Sequence, residues 1–158
     1  MSQRLDNSPT LLNHEVQAVL NKAEALCRQR GVRWTALRRR VLEIILNNRG
    51  PIGAYDILAV LQQEQGRTAP PTVYRVLDFL LEQNLVHRLT SLSAYLVCSH
   101  PQEHHSAQFM ICRQCGKVTE LADNTIKESV VRSASAKGFE VENQVIEIKG
   151  HCRRCRRR

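Results

Sequence analysis

The sequence lacks any run of about 18 apolar residues, the length that a membrane-spanning helix requires. Its first residues, MSQRLDNSPTLLNHEV, also lack the apolar stretch and the small-residue cleavage site of a secretory signal. We therefore expect a cytoplasmic protein with no membrane contact, in a compartment where thiols stay reduced. In that setting clustered cysteines hold metal ions more often than they form structural disulfides.

Acidic residues are scarce in two parts of the chain. The 158 residues carry 23 Lys and Arg against 15 Asp and Glu, a net charge of +8. Residues 1–90 hold 12 basic and 8 acidic side chains, and residues 151–158 hold five arginines and no acid. A basic N-terminal half is typical of proteins that bind a polyanion, and a solvated basic surface is the alternative. The terminal arginines either offset the charge of metal-bound thiolates or contact DNA.

Apolar periodicities predict four helices in the first half, over about residues 15–30, 36–48, 54–65 and 69–84. We expect Gly31 to end the first helix and Thr35 to cap the second. Cys27 falls on the apolar face of the first helix and is interpreted as a small buried side chain. A polar turn, TSLS, then separates two short strands within residues 85–98.

The fourth helix carries the clearest indication of function in this half. Pro70 and Pro71 suit a first helical turn, and the apolar residues at 73, 76, 77, 80 and 81 are expected to face the core. Thr72, Tyr74 and Arg75 then face outward near the positively polarised end, where they can reach phosphates and base edges. Helices followed by a hairpin are the order of a winged helix-turn-helix domain, which favours DNA binding over a plain helical bundle.

The second half of the chain has a mixed pattern of strands and a helix, and we expect a small α+β unit there. A polar, histidine-rich connection, SHPQEHHSAQ, precedes strands predicted in FMIC and KVTEL. A helix over 124–138 is expected to bury Ile126, Val130, Val131 and Ala134, and FEVENQVIEIKG to form one or two strands. Because a unit this short can build only a thin core, we expect it to need a stabilising cross-link, a partner subunit, or both.

Two Cys-x-x-Cys pairs can supply such a cross-link. Cys112 and Cys115 form the first pair and Cys152 and Cys155 the second, with 36 residues between the pairs. Four thiolates complete the tetrahedral shell of Zn²⁺, and a two-residue gap lets both sulfurs of a pair reach one ion. We therefore predict a structural zinc site with no open coordination position. A redox dithiol would explain one pair but not the second.

Four segments of the chain resemble the ferric uptake regulator family, and most closely its zinc-responsive branch. They are PPTVYRVLDFLLEQNLVH, the hairpin end YLVC, HHSAQFMICRQCGKVTE and VIEIKGHCRRC. The resemblance implies a homodimeric, metal-dependent repressor in which Tyr74 and Arg75 read a palindromic DNA duplex. It also implies regulatory zinc ligands at His87, Cys98, His105 and Glu120, and therefore two Zn²⁺ per chain.

The same resemblance keeps iron, manganese or peroxide sensing as the alternative. Iron sensors of the family usually carry His-His-Asp-His before the first cysteine pair, whereas this chain has Ser106 and Gln108 within HHSAQFMIC. A shell of one thiolate, two imidazoles and one carboxylate suits Zn²⁺. His100 and His104 are the alternatives to His105 as the ligand from the connection.

We therefore expect an α+β protein with a winged-helix DNA-binding domain over residues 1–90, a wing end and hinge over 91–104, and a dimerisation domain over 105–158. Ligands from both domains would let one zinc ion fix the spacing of two recognition helices. The expected role is repression of zinc uptake genes and not catalysis, because Cys98 would fill the coordination position that a zinc hydrolase keeps open.

Overall fold

A computed structural model describes residues 13–102, 107–121, 123–142 and 144–156. The chain divides into two units, with the boundary between residues 103 and 104. In the described residues, the N-terminal unit holds four helices and a small sheet, and the C-terminal unit holds a second sheet and two helices. None of the described helices is long and apolar enough to cross a bilayer.

Four helices make up most of the N-terminal unit: α1 (Asn13–Gln29), α2 (Ala36–Asn47), α3 (Ala54–Gln65) and α4 (Pro70–Glu82). The predicted helices are confirmed, each to within two residues at either end. Gly31 follows α1 in the left-handed conformation, with φ of 69°, and Val32 N–H donates to the Cys27 carbonyl at 3.0 Å. Thr35 caps α2 by accepting a hydrogen bond of 3.3 Å from Arg38 N–H.

The core of this unit draws on every helix. Leu20, Val41, Ile57 and Leu77, one from each helix in order, are all 0 % exposed. Cys27 is also part of this core, as its place on the apolar face of α1 predicts. Leu81, which the periodicity assigns to the core, is half-buried at the core's edge.

Two arginines of α2 fix this helix against its neighbours. Arg40 donates through two guanidinium nitrogens to Glu64 of α3, and through a third, at 2.6 Å, to Glu43. The hydrogen bond from Arg40 lowers the pKa of the Glu64 carboxyl from its ordinary value. The Arg38 guanidinium lies 3.4 Å from the ring centroid of Phe79 on α4. α2 is therefore tied by polar contacts to both α3 and α4.

The sheet of the N-terminal unit is a small antiparallel wing. Its strands are β1 (Ile52–Gly53), β2 (Val86–Leu89) and β3 (Ala94–Val97), in the order β1-β3-β2. A short 3-10 turn over Thr90–Leu92 joins β2 to β3, where the sequence predicts a turn. β1 carries no sequence signal, because two residues cannot show a period. Helices followed by this hairpin are the order predicted for a winged helix-turn-helix domain.

The C-terminal unit is α+β, as predicted. Its elements are β4 (Ala107–Cys112), β5 (Val118–Glu120), α5 (Asn124–Ser135), β6 (Val145–Gly150) and α6 (Arg153–Arg156). The sheet order is β5-β4-β6, with β5 antiparallel and β6 parallel to the central β4. Phe109, on the central strand β4, is 0 % exposed.

The burial predicted for α5 is wrong for the single chain. Val130 and Val131 are each 38 % exposed, and Ile126 and Ala134 are half-buried. The helical period is present, but the described part of this chain does not cover the apolar face that it creates. β6 also leaves apolar side chains uncovered, with Val145 being 51 % exposed.

Candidate metal centre and nucleic-acid surface

The two cysteine pairs meet because β4 and β6 run parallel. Cys112 is the last residue of β4 and pairs in register with Gly150, the last residue of β6. Cys115 follows in a tight turn, in which Gly116 N–H donates to the Cys112 carbonyl at 2.9 Å and Gly116 has φ of 70°. The second pair begins two residues after Gly150. Parallel strands end at the same edge of a sheet, so pairs far apart in sequence arrive together.

The four sulfur atoms have the spacing of a tetrahedral metal site. All four Sγ atoms of Cys112, Cys115, Cys152 and Cys155 lie within 4.8 Å of one another. The Sγ atoms of Cys115 and Cys152 are 3.7 Å apart. Four ligands at about 2.3 Å from a zinc ion place their sulfurs about 3.8 Å from each other. The cysteines are free thiols, so this group fits a four-sulfur zinc site and not a pair of disulfides.

The chemistry of the cluster also fits a cation. The Cys152 N–H donates to Cys112 Sγ at 3.4 Å, and with further N–H donors it lowers the pKa of the Cys112 thiol to about 5. Burial, followed by the neighbouring cysteines, raises the pKa of Cys155 to about 12. Adjacent sulfurs therefore do not all ionise by themselves, whereas a divalent cation holds four thiolates together.

Two of the four residues in the other predicted ligand set lie together on the wing. His87 of β2 pairs in register with Leu96 of β3. Cys98 lies two residues after Leu96 and is 4 % exposed. Its N–H donates a hydrogen bond of 3.0 Å to the Leu85 carbonyl, which continues the pairing of the two strands. Side chains alternate along a strand, so His87 and Cys98 occupy one face of the wing. That placement is compatible with two ligands to one ion.

Of the remaining two predicted ligands, the structure describes only Glu120. Glu120 is the last residue of β5 in the C-terminal unit, opposite Phe109 in register. His105 and its alternative His104 lie outside the described residues, whereas His100 is exposed in the N-terminal unit. A shared ion therefore stays a prediction for His87, Cys98, His105 and Glu120.

The outward face of α4 carries the predicted DNA-reading residues. Tyr74 is 41 % exposed and Arg75 is exposed, while Thr72 is half-buried at the first turn. On the opposite side, Val73 and Leu77 are at most 1 % exposed. α4 thus presents a phenol and a guanidinium from a helix whose other side is anchored in the core, the arrangement that base reading in a major groove requires.

Two residues that support α4 give no signal in the sequence. Tyr95 of β3 is 4 % exposed. Burial raises the pKa of its phenol, as do Tyr74 and Asp78 of α4, whereas Arg88 lowers it. Arg30, just after α1, donates to the Gln83 carbonyl at the end of α4 and, at 2.9 Å, to the Pro101 carbonyl. These partners are 53 and 71 residues away along the chain, beyond any local periodicity.

Comparison with known proteins identifies relatives along most of the chain. Residues 29–149 match the model of the ferric uptake regulator family. The zinc uptake regulation protein of Escherichia coli (strain K12) is 39 % identical over 140 residues, which are 88 % of this chain and 82 % of that protein. The peroxide operon regulator of Bacillus subtilis (strain 168) is 30 % identical over 137 residues, 86 % of this chain and 92 % of that protein.

A solved structure resembles this chain in fold as well as in sequence. A zinc uptake regulator complexed with zinc and DNA aligns with a TM-score of 0.85 and 38 % identity. The alignment covers 90 % of this chain and 95 % of that one, so it includes both units.

Proposed function

Because the chain belongs to the ferric uptake regulator family, we propose that it is a zinc-dependent, DNA-binding transcriptional repressor that controls zinc uptake genes. The observation that carries this proposal is the similarity, over nine tenths of the chain, to a zinc uptake regulator solved with zinc and DNA. The exposed Tyr74 and Arg75 on α4 and the four-sulfur cluster supply matching chemistry. The protein would act in the cytoplasm as a homodimer on a palindromic operator.

In this proposal the chain has two metal sites with different tasks. Cys112, Cys115, Cys152 and Cys155 would hold a structural Zn²⁺ that joins β4 to the C-terminal segment. His87, Cys98, His105 and Glu120 would hold a regulatory Zn²⁺, and two ions per chain follow. Held by His87, Cys98, His105 and Glu120, zinc would link residues 1–90 to residues 105–158, with residues 91–104 as wing end and hinge.

The regulatory ligands would control DNA binding through geometry. Two α4 helices of a dimer must match half-sites one helical turn apart, about 34–36 Å, or a multiple of it. When the ligands from both domains share an ion, that separation is held at the value the operator requires. A coupling of about 1–3 kcal/mol between metal and operator gives a switch of 5- to 150-fold.

The proposal is tested by metal analysis followed by a zinc-titrated gel shift on the promoter of a zinc importer. We expect two ions per chain, one of them easily removed, and operator binding that appears as the second site fills. Binding that is unchanged by zinc would contradict the proposal.

The same titration separates the second candidate function, sensing of iron, manganese or peroxide. The 30 % identity to a peroxide operon regulator is the observation that favours it. If manganese or iron(II) restores operator binding to the metal-stripped protein at lower concentration than zinc does, the second candidate is the correct one.

A further inference from the structure

One end of the C-terminal unit is strongly basic. We define this basic end as residues 113–117 and 149–156, the segments that surround the four cysteines. All six of its Lys and Arg side chains are exposed: Arg113, Lys117, Lys149, Arg153, Arg154 and Arg156. Neither segment contains Asp or Glu. The segments lie side by side, because Arg113 N–H donates to the Gly150 carbonyl at 2.8 Å.

Neutralising the metal site does not account for this charge. Four thiolates around one Zn²⁺ leave a charge of about −2, which two cations would balance. Six cations therefore leave a surplus of four positive charges, and the sequence adds Arg157 and Arg158, which lie outside the described residues. The stretch between the two segments is different, since residues 118–148 carry six acidic and three basic side chains. Positive charge is thus concentrated at one end of the unit.

The composition of the basic end indicates what it binds. Four of its six cations are arginine, whose planar guanidinium contacts phosphate oxygens in a bidentate manner. It contains no Phe, Tyr or Trp, so it has no platform for stacking unpaired bases. It also has no large aliphatic side chain to anchor a protein partner or insert into lipid. Phosphates of a duplex are the partner that fits these three features.

We infer that the basic end is a second DNA-binding surface, which binds the phosphate backbone of duplex DNA without reading its sequence. The inference rests on the proposed function, because it assigns this surface to the same DNA-bound protein. α4 would supply discrimination between sequences, and the basic end would add salt-dependent affinity for any duplex.

The test compares the salt dependence of DNA binding in variants of the full-length, zinc-loaded protein. The variant R153Q/R154Q/R156Q is measured by fluorescence anisotropy on an operator duplex and on a scrambled duplex, between 50 and 200 mM salt. We expect the same fold-loss of affinity on both duplexes. The slope of log K against log salt should become shallower by about 0.9 for each phosphate that the variant no longer neutralises.

Two controls match this variant. K127Q/R132Q/K137Q removes three basic charges from α5 and the residues that follow it, away from the basic end, and should leave the slope close to that of the wild type. R153K/R154K/R156K keeps the charge and should retain most of the slope. If R153Q/R154Q/R156Q lowers the zinc content, K117Q/K149Q leaves the Cys152–Cys155 segment intact and should still reduce the slope.

An unchanged slope in both glutamine variants of the basic end, with zinc content and dimer intact, would overturn the inference. A reduction of affinity confined to the operator would also overturn it, since phosphate binding does not distinguish sequences. Failure of the proposed function looks different, because the wild type would then show no zinc-dependent preference for the operator, whatever its salt slope on the scrambled duplex.

Discussion

At the scale of single residues, function depends on which side of an element a side chain occupies. Tyr74 and Arg75 are exposed because the apolar residues at three- and four-residue spacing on α4 are buried. His87 and Cys98 share a face of the wing because His87 pairs with Leu96, and Cys98 lies two residues beyond Leu96. Arg75 is exposed beside buried neighbours, so its substitution should alter binding more than folding.

Replacing Arg75 with alanine should reduce discrimination between bases. We expect a decrease of about 1–3 kcal/mol in the preference for operator over variants with single base changes, because a bidentate hydrogen bond to a base edge is removed. Competition gel shifts measure this preference, and zinc affinity should be unchanged. Arg28→Ala on α1, where the guanidinium lies 3.6 Å from the Glu24 carboxylate, is the matched control. Equal weakening on every sequence would show that Arg75 binds phosphates only.

Replacing Cys98 with serine, or His87 with alanine, should abolish zinc-dependent operator binding and leave a folded dimer. The reason is that each change removes one ligand from the proposed regulatory site and none from the four-cysteine site. Zinc-titrated gel shifts and sedimentation measure the two properties. Cys27→Ala is the control, because Cys27 is buried in the helical core of the same unit. Variants that bind the operator normally without zinc would refute the hinge mechanism.

At the scale of elements, the pairing of β4 with β6 decides the metal centre. Each Cys-x-x-Cys pair is local, but the parallel register from Ala107 with Val145 to Cys112 with Gly150 brings both pairs to one edge. The 36 residues between the pairs hold β5, α5 and β6, so an ion bound there closes a loop that contains most of the C-terminal unit. Such a closure stabilises a unit whose core is thin.

Metal removal should therefore unfold the C-terminal unit as a whole. When a strong chelator and a thiol reagent are applied together, we expect Cys112, Cys115, Cys152 and Cys155 to react in one phase. Loss of structure, followed by circular dichroism, should coincide with that phase. Cys27 and Cys98 are buried in the N-terminal unit and should react separately. Independent reaction of the two cysteine pairs would argue against a shared ion.

At the scale of the whole molecule, the C-terminal unit has apolar surface that the described chain leaves uncovered. Six of its large apolar side chains are 38–66 % exposed: Met110, Val130, Val131, Phe139, Val145 and Ile148. Exposed apolar area of this kind marks an interface. The family forms dimers, and we expect these side chains to face the second copy, since α5 then obtains the burial that its helical period predicts.

Replacing Ile148 with glutamate should weaken the dimer. An unpaired carboxylate buried in an apolar interface makes the free energy of association less favourable. We therefore expect the dissociation constant of the dimer to rise by at least about tenfold. Sedimentation at several concentrations measures it. Asn21→Glu, at an exposed position on α1 of the N-terminal unit, is the control for added charge. A dimer unaffected by Ile148→Glu would place the interface elsewhere.

Local sequence is enough to specify the helices, the caps, the outward face of α4 and the two cysteine pairs. Each of these depends on residues a few positions apart, where the helical period, a capping hydroxyl or a turn geometry acts directly. The helical period also predicted that Val130 and Val131 of α5 would be buried, which is wrong for the single chain.

Which distant residues meet depends instead on tertiary packing. The parallel pairing of β4 with β6, the strand β1, and the hydrogen bonds of Arg30 with Gln83 and Pro101 all join segments separated by tens of residues. Such interactions depend on the packing of the entire unit and leave no local pattern. Val130 and Val131 of α5 are likewise exposed because no described residue of this chain covers them.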